Sequence, residues 1–276
     1  MSDEITLEDF REYFPYAPTA LCIKECIRLK VARALSCPAP ILDVGCGDGL
    51  FAKLAFRDAE VWGIDIDANE GRRAQASRAY GQIILADVTS ARLPERFFGS
   101  CVANCSLEHI PELHLALVNI LKALRPGAPL YTFVPNRDWA GYMHSTLTLK
   151  RLGLERAATA IESAINTVFK HHHLDDARGW RRRFEAAGYV VDRVDPVGST
   201  ASTRAFEAFL LPSLIGWVNK KLTGRWALAS ELRKLAFVPA FAMVEGALAL
   251  GADESPTAEF LVACHRPQEP SAGAAG

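Results

Sequence analysis

Ile41-Leu42-Asp43-Val44-Gly45-Cys46-Gly47-Asp48-Gly49 is the stretch whose reading decides the fold. A short apolar run stops at three alternating glycines, and helical text follows from Leu50 to Arg57. A glycine loop between strand and helix lets the backbone pass close to a ligand, and the helix start offers free amide donors. The spacing Gly45-x-Gly47-x-Gly49 differs from the Gly-x-Gly-x-x-Gly that cradles a pyrophosphate. Asp43 and Asp48 would repel a diphosphate. They suit a cationic ligand carrying an ammonium group.

Working outward, Val61 to Asp65 reads as a second strand ending in an acid, and Ile83 to Asp87 as a third. A charged helix is predicted over Glu70 to Tyr80 between them. Cys101 to Asn104 is a fourth strand, Glu112 to Leu124 a helix, and Leu130 to Val134 a fifth strand after the turn Arg125-Pro126-Gly127. Strands alternating with helices at this spacing imply right-handed crossovers and a doubly wound, mostly parallel α/β sheet. Seven strands are expected, counting Tyr189 to Val194 and Glu259 to His265. Ligands of such sheets sit at the carboxyl ends of the strands.

The rest of the chain is helical. Thr19 to Leu35 places Leu21, Ile27, Val31 and Leu35 at helical spacing, and Pro38 and Pro40 end it. Helices are expected within Trp139 to Phe169, over Asp175 to Ala187, and as a long segment from Ala205 to Leu250. The expected organisation is a helical lid (1–39), a cofactor core (40–136), a helical insertion returning to the sheet (137–204), a helical insertion serving as a cap (205–257), a final strand (258–266) and a disordered tail (267–276).

Composition narrows the function. The formal charge of the 276 residues is -1, so no global field recruits nucleic acid, and no Asn-Pro-Pro-Tyr-like motif follows the fourth strand. Seven dispersed cysteines read as reduced thiols rather than as a disulfide framework. The acidic N-terminus lacks a signal-peptide pattern, and no stretch reaches the roughly 18 apolar residues that a membrane span needs. A cytoplasmic protein is the expectation.

Asp65 suits a ribose diol, since a carboxylate can accept two hydroxyl hydrogen bonds in one plane. Asp87 could accept from an adenine amino group, although a strand-end Asp is also a common helix cap. Together with the loop, these residues describe an adenosine with a charged, phosphate-free tail. Ile41 to Ala52, Val61 to Asp67, Ala86-Asp87, Leu107-Glu108-His109-Ile110 and Leu124-Arg125-Pro126-Gly127 resemble the successive motifs of class I S-adenosylmethionine (SAM)-dependent methyltransferases, with a Rossmann-like sheet. The resemblance implies that Asp43, Gly45, Cys46 and Gly47 hold the methionine moiety, Asp65 and Ile66 the ribose side, and Asp87 with Val88 the adenine. Asn104 and Cys105 would line the amino-acid end, and S-adenosylhomocysteine (SAH) would be the product.

A sulfonium methyl is already activated, so orientation and exclusion of water can supply much of the acceleration. His109 could act as a base with Glu108 beside it; alternatively, the pair organises the following helix turn. Ubiquinone-biosynthesis O-methyltransferases place an earlier glutamate in this segment, associated with a divalent metal. Cys105 stands there in this chain, so no metal is expected. His171-His172-His173 cannot all face one ion from regular backbone. By resemblance, His171, His173 and Tyr16 are assigned to the pocket of a small-molecule acceptor, with O-methylation favoured over N or C. The apolar and basic segment 206–250 reads as a cap, a dimer surface, a packed helical pair or a patch making peripheral membrane contact, the last of these motivating a lipid-like acceptor. The rival readings are an inactive SAM-binding scaffold and a nicotinamide-dependent oxidoreductase.

Overall fold

The computed structural model describes residues 5–223, 230–250 and 257–269. The chain forms two compact units, described separately below. One comprises Met1–Leu35, Pro135–Leu174 and Pro196–Phe260; the other comprises Ser36–Val134, Asp175–Asp195 and Leu261–Gly276.

The second unit is built on the sheet. Its strands are β1 (Ile41–Val44), β2 (Val61–Asp65), β3 (Gln82–Leu85), β4 (Ser100–Asn104), β5 (Pro129–Pro135), β6 (Val190–Val197) and β7 (Glu259–His265), in the spatial order β3-β2-β1-β4-β5-β7-β6. β1 pairs in parallel with β2 and β4, β2 with β3, and β4 with β5. β7 runs against β5: the Arg266 amide donates to Ala128 O at one end of the pair, and the Asn136 amide to Ala258 O at the other. This is the expected seven-stranded, mostly parallel sheet. β1 and β4 are central and buried on both faces, so they read as continuous apolar runs, whereas the edge strand β3 buries none of its residues fully.

Helices α3 (Leu50–Ala55), α4 (Ala68–Ser77), α5 (Leu113–Ala123) and α8 (Ala177–Ala186) belong to this unit. α4 begins where the Asp67 side chain accepts from the Asn69 and Glu70 amides. It ends three residues before the expected Tyr80, because Arg78 turns into the left-handed region at φ 58°. β3 stops at Leu85, two residues short of Asp87, which therefore lies beyond the strand rather than at its end. The core includes Trp180 and Phe184 of α8 and Phe98, whose ring packs with those of the half-buried Trp62 and Phe97 at centroid distances of 4.9–5.6 Å.

The helical unit contains α1 (Leu7–Tyr13), α2 (Thr19–Arg33), α6 (His144–Arg151), α7 (Glu155–Val168), α9 (Thr200–Ala208), α10 (Leu210–Thr223), α11 (Ser230–Leu235) and α12 (Phe237–Leu250). The long helical segment expected from Ala205 is thus several helices, and the first begins earlier. Ser199 starts α9 at Thr200 through a capping box with Ser202. The core of the unit gathers Trp139, Met143 and Phe206, with Phe169 and Leu210 packed against them. The helical unit extends to Phe260 and so includes Glu259, the first residue of β7, which a buried ion network joins to α2. Glu259 lies 3.2 Å from Lys24 Nζ and 3.0 Å from Arg28 Nε, and Glu25 lies 3.4 Å from Arg28 Nη1. Of the expected disordered tail, residues 270–276 lie outside the described residues.

Candidate active site

The glycine loop after β1 is held from three sides. Amides of Gly45 and Cys46 donate to Ile64 O at the end of β2 (2.8 and 3.2 Å). The Ser106 hydroxyl, from the turn after β4, donates to Val44 O at 2.5 Å. A Cβ on Gly45, which has φ +71°, would stand 2.3 Å from Ser106 Cβ, so only glycine permits this approach. Gly47, at φ +53°, has no heavy atom within 4 Å of its would-be Cβ and leaves open space beside the loop.

Carboxylates stabilise the same loop. Asp65 Oδ2 accepts from the Gly47 amide at 2.9 Å and Asp65 Oδ1 from the Asp67 amide at 2.8 Å. Each oxygen of a carboxylate has two lone pairs, so one remains on each for a ligand diol. Asp43 is buried in β1, and its Oδ2 accepts from the Tyr80 hydroxyl at 2.7 Å. Burial, together with the neighbouring Asp43 charge, pushes the Tyr80 hydroxyl well above its ordinary pKa, so it stays a donor. The Tyr80 ring also packs under Gly49, where an added Cβ would lie 2.7 Å from Cε2. Tyr80 thus ties the third glycine to the acid before the first.

Between these strand ends lies a cleft of ≈ 320 Å³. Of the residues assigned to the cofactor from the sequence, Gly45, Asp65, Ile66, Asp87, Val88 and Cys105 line it, as does His109. Asp87 Oδ1 accepts from both the amide and the hydroxyl of Thr89, a turn that aims this carboxylate. Ile66 is 74% exposed, an apolar side chain presented at the cleft wall. Asp43, Cys46 and Gly47 support the loop rather than the wall. The Cys46 thiol is buried, and burial with the charges of Asp43 and Asp65 pushes its pKa up, which favours the protonated thiol. Asn104 closes β4 half-buried and is not part of the wall, whereas Cys105 beside it is, in the left-handed region at φ 49°. Ser106, Ile110 and Pro111 also line the cleft, and sequence reasoning missed them in this role, as it missed Tyr80.

The cleft fits an adenosyl sulfonium by its chemistry. The loop amides of Gly45, Cys46 and Gly47 are already given to Ile64 O and Asp65, not pointed together at a phosphate. Carboxylates and bare backbone face an opening with apolar walls at Ile66, Val88 and Ile110. His109 is partly exposed at this wall. Its Nε2 lies 3.8 Å from Oε1 of Glu108, which is buried in the turn Leu107–His109.

The remaining assigned residues belong to the helical unit. Tyr16 is exposed and His173 half-buried. The His171 ring stacks on Phe169 and lies edge-on to Trp139, with centroids 5.9 and 5.5 Å apart. Asn166 Oδ1 accepts from Trp139 Nε1 at 2.8 Å and contacts His171 Nδ1 at 3.1 Å. A carbonyl oxygen can only accept, so Nδ1 is the donor to Asn166 in this network.

Comparison with known proteins agrees with this geometry. A family described as "Methyltransferase domain" matches residues 20–194. An uncharacterized methyltransferase of Mycobacterium tuberculosis (strain ATCC 25618 / H37Rv) is 41% identical over 111 residues, 38% of this chain and 56% of that protein. A ubiquinone biosynthesis O-methyltransferase of Alkalilimnicola ehrlichii is 33% identical over 115 residues, 39% of this chain and 46% of that one. The aligned stretch thus spans about half the length of each relative. Among solved structures, the [4+2]-cyclase SpnF superposes with a TM-score of 0.55 at 18% identity, over 90% of this chain and 82% of that one.

Proposed function

The chain belongs to the class I SAM-dependent methyltransferase family, and from that premise we propose that it moves a methyl group from SAM to a small, apolar acceptor, releasing SAH. The observation that carries the reading is the cleft at the strand ends, where Asp65, Asp87 and the opened glycine loop meet apolar walls.

The bound cofactor supplies an electrophilic methyl on a sulfonium. The protein binds and orients. Asp65 takes the ribose hydroxyls on its remaining lone pairs, and Asp87, oriented by Thr89, accepts from the adenine amino group. Ile66, Val88 and Ile110 flank the purine and exclude water. The loop from Gly45 to Gly47, with Asp43 held by Tyr80, borders the methionine end, and Asn104 and Cys105 complete it. His109 accepts the proton of an acceptor hydroxyl, and Glu108 acts as a positioning residue that favours the imidazolium. The ubiquinone-biosynthesis relative is named for O-methylation, which supports oxygen over nitrogen or carbon as the acceptor atom.

Titration calorimetry separates the readings. SAH is expected to bind and NAD not to. Binding of NAD with no response to SAH would reverse the assignment to an oxidoreductase. Tight SAH binding without methyl transfer to any phenol, carboxylate or lipid hydroxyl would leave a scaffold.

A further inference from the structure

Asn119 lies half-buried in the middle of α5, at the edge of the stripe that buries Ala116, Ile120 and Ala123. Asn is a weak helix former, because its amide can bond backbone groups that a helix needs. Here the amide is spent outside the helix. Its Nδ2 donates to Val88 O and to Ala91 O, each at 2.8 Å, across 31 and 28 residues of sequence. A carbonyl oxygen only accepts, so the nitrogen end of the side chain must face both. One amide nitrogen supplies two donors from a short arm, which neither a hydroxyl nor a carboxylate can do.

The two carbonyls belong to the segment on the Asp87 side of the cofactor cleft. The Ala86 amide donates to Asp65 O at 3.1 Å, one residue past the end of β3. Beyond it the chain turns. The Ser90 and Ala91 amides donate to Asp87 O at 3.1 and 2.8 Å, and Thr89 donates twice to Asp87 Oδ1. These bonds lie within residues 87–91, so they set the shape of the turn and not its place beside the sheet. Asn119 ties the turn to α5. Ala91 O also takes the Leu93 amide at 3.0 Å, but among the described residues Val88 O has no other donor. Val88 is buried in the cleft wall and Asp87 is exposed beside it, so a tilt of this turn would move the apolar wall and the carboxylate together.

We propose that Asn119 is a positioning residue for base recognition: through Val88 O and Ala91 O it holds Asp87 and Val88 where the purine edge lies, and so sets the preference for adenine. The proposal rests on the cofactor reading above. SAH and S-inosylhomocysteine share homocysteine and ribose and differ at the base, where a carbonyl oxygen replaces the adenine amino group. The amino group donates to Asp87, whereas a carbonyl oxygen opposes it. Titration calorimetry is expected to show the wild type favouring SAH by about thirty-fold, as one charge-assisted hydrogen bond provides, and Asn119→Ala by about five-fold or less. Asn119→Asp, of the same size, sets a carboxylate against two carbonyl oxygens and should narrow the preference at least as far. Ala is the stronger helix former, so α5 itself is not weakened, and Asn119→Asp serves if the Ala variant does not fold. A residue that only braced α5 would lower the unfolding midpoint and leave the ratio of the two affinities as in the wild type; that result overturns the proposal. A wild type that binds both compounds equally overturns it too. A wild type that binds neither sinks the cofactor reading, and this proposal with it.

Discussion

Glu259 in the helical unit and Asp65 in the sheet unit are both carboxylates with two engaged oxygens, but their partners differ in kind. Glu259 is met by the ammonium of Lys24 and the guanidinium of Arg28, all three buried. Asp65 is met by two backbone amides beside an open cleft. Side-chain cations neutralise a buried charge and finish its chemistry. Amides fix a carboxylate's direction and leave lone pairs for a ligand. The first arrangement holds a fold together, and the second prepares a site.

The sharpest way to break this contrast is Glu259→Gln. Removing the carboxylate takes the ion partner from buried Lys24 and leaves Arg28 to Glu25, with an expected loss of about 3–5 kcal/mol in denaturant unfolding. SAH affinity of the folded protein should be unchanged; a matching loss of affinity with stability intact would invert the assignment. The same network sets an acid limit. Burial opposes ionisation of Glu259, but Arg28 and Lys24 outweigh it and hold the carboxyl below its ordinary value of 4.5. Its contribution is therefore present above that value and is lost as the pH falls through the depressed one.

Asp65→Ala should do the reverse, weakening SAH binding by about 2 kcal/mol, some thirty-fold, through lost charge-assisted hydrogen bonds. Unchanged affinity in calorimetry would show the ribose assignment to be wrong. Tyr80→Phe should have the smallest effect. It keeps the ring beneath Gly49 but removes the donor to Asp43, with an expected cost of about 1 kcal/mol. If Tyr80 positions the loop, that cost falls on SAH affinity more than on the unfolding midpoint; a purely structural role would show the opposite split.

β1, β2 and β7 have the bounds that their apolar runs suggest, because strand length there is set by local glycines, acids and polar flanks. Periodicity failed where a non-local contact decided the boundary. Helical text runs on to Tyr80, but the chain turns at Arg78, and Tyr80 is released to reach Asp43, 37 residues away. The aromatic residue just past α4 gives no sequence signal of that duty. Of the candidate site, Gly45, Asp65, Asp87 and Cys105 were legible from their places after strands. Ser106 and Pro111 were not, since wall positions depend on how the turn after β4 folds back over the loop. In the last helices the apolar composition was plain, but that α12 buries Phe241 and Val244 was not.

Alternation of strand and helix, the glycine spacing and the acids beside it determined the class of sheet and the edge where a ligand belongs, because these depend on backbone freedom and local periodicity. Only the tertiary structure decided which carboxylates keep lone pairs for a ligand and which are consumed by Lys24 and Arg28. Hydrogen-bond partners are chosen in space, among residues that the chain order leaves far apart.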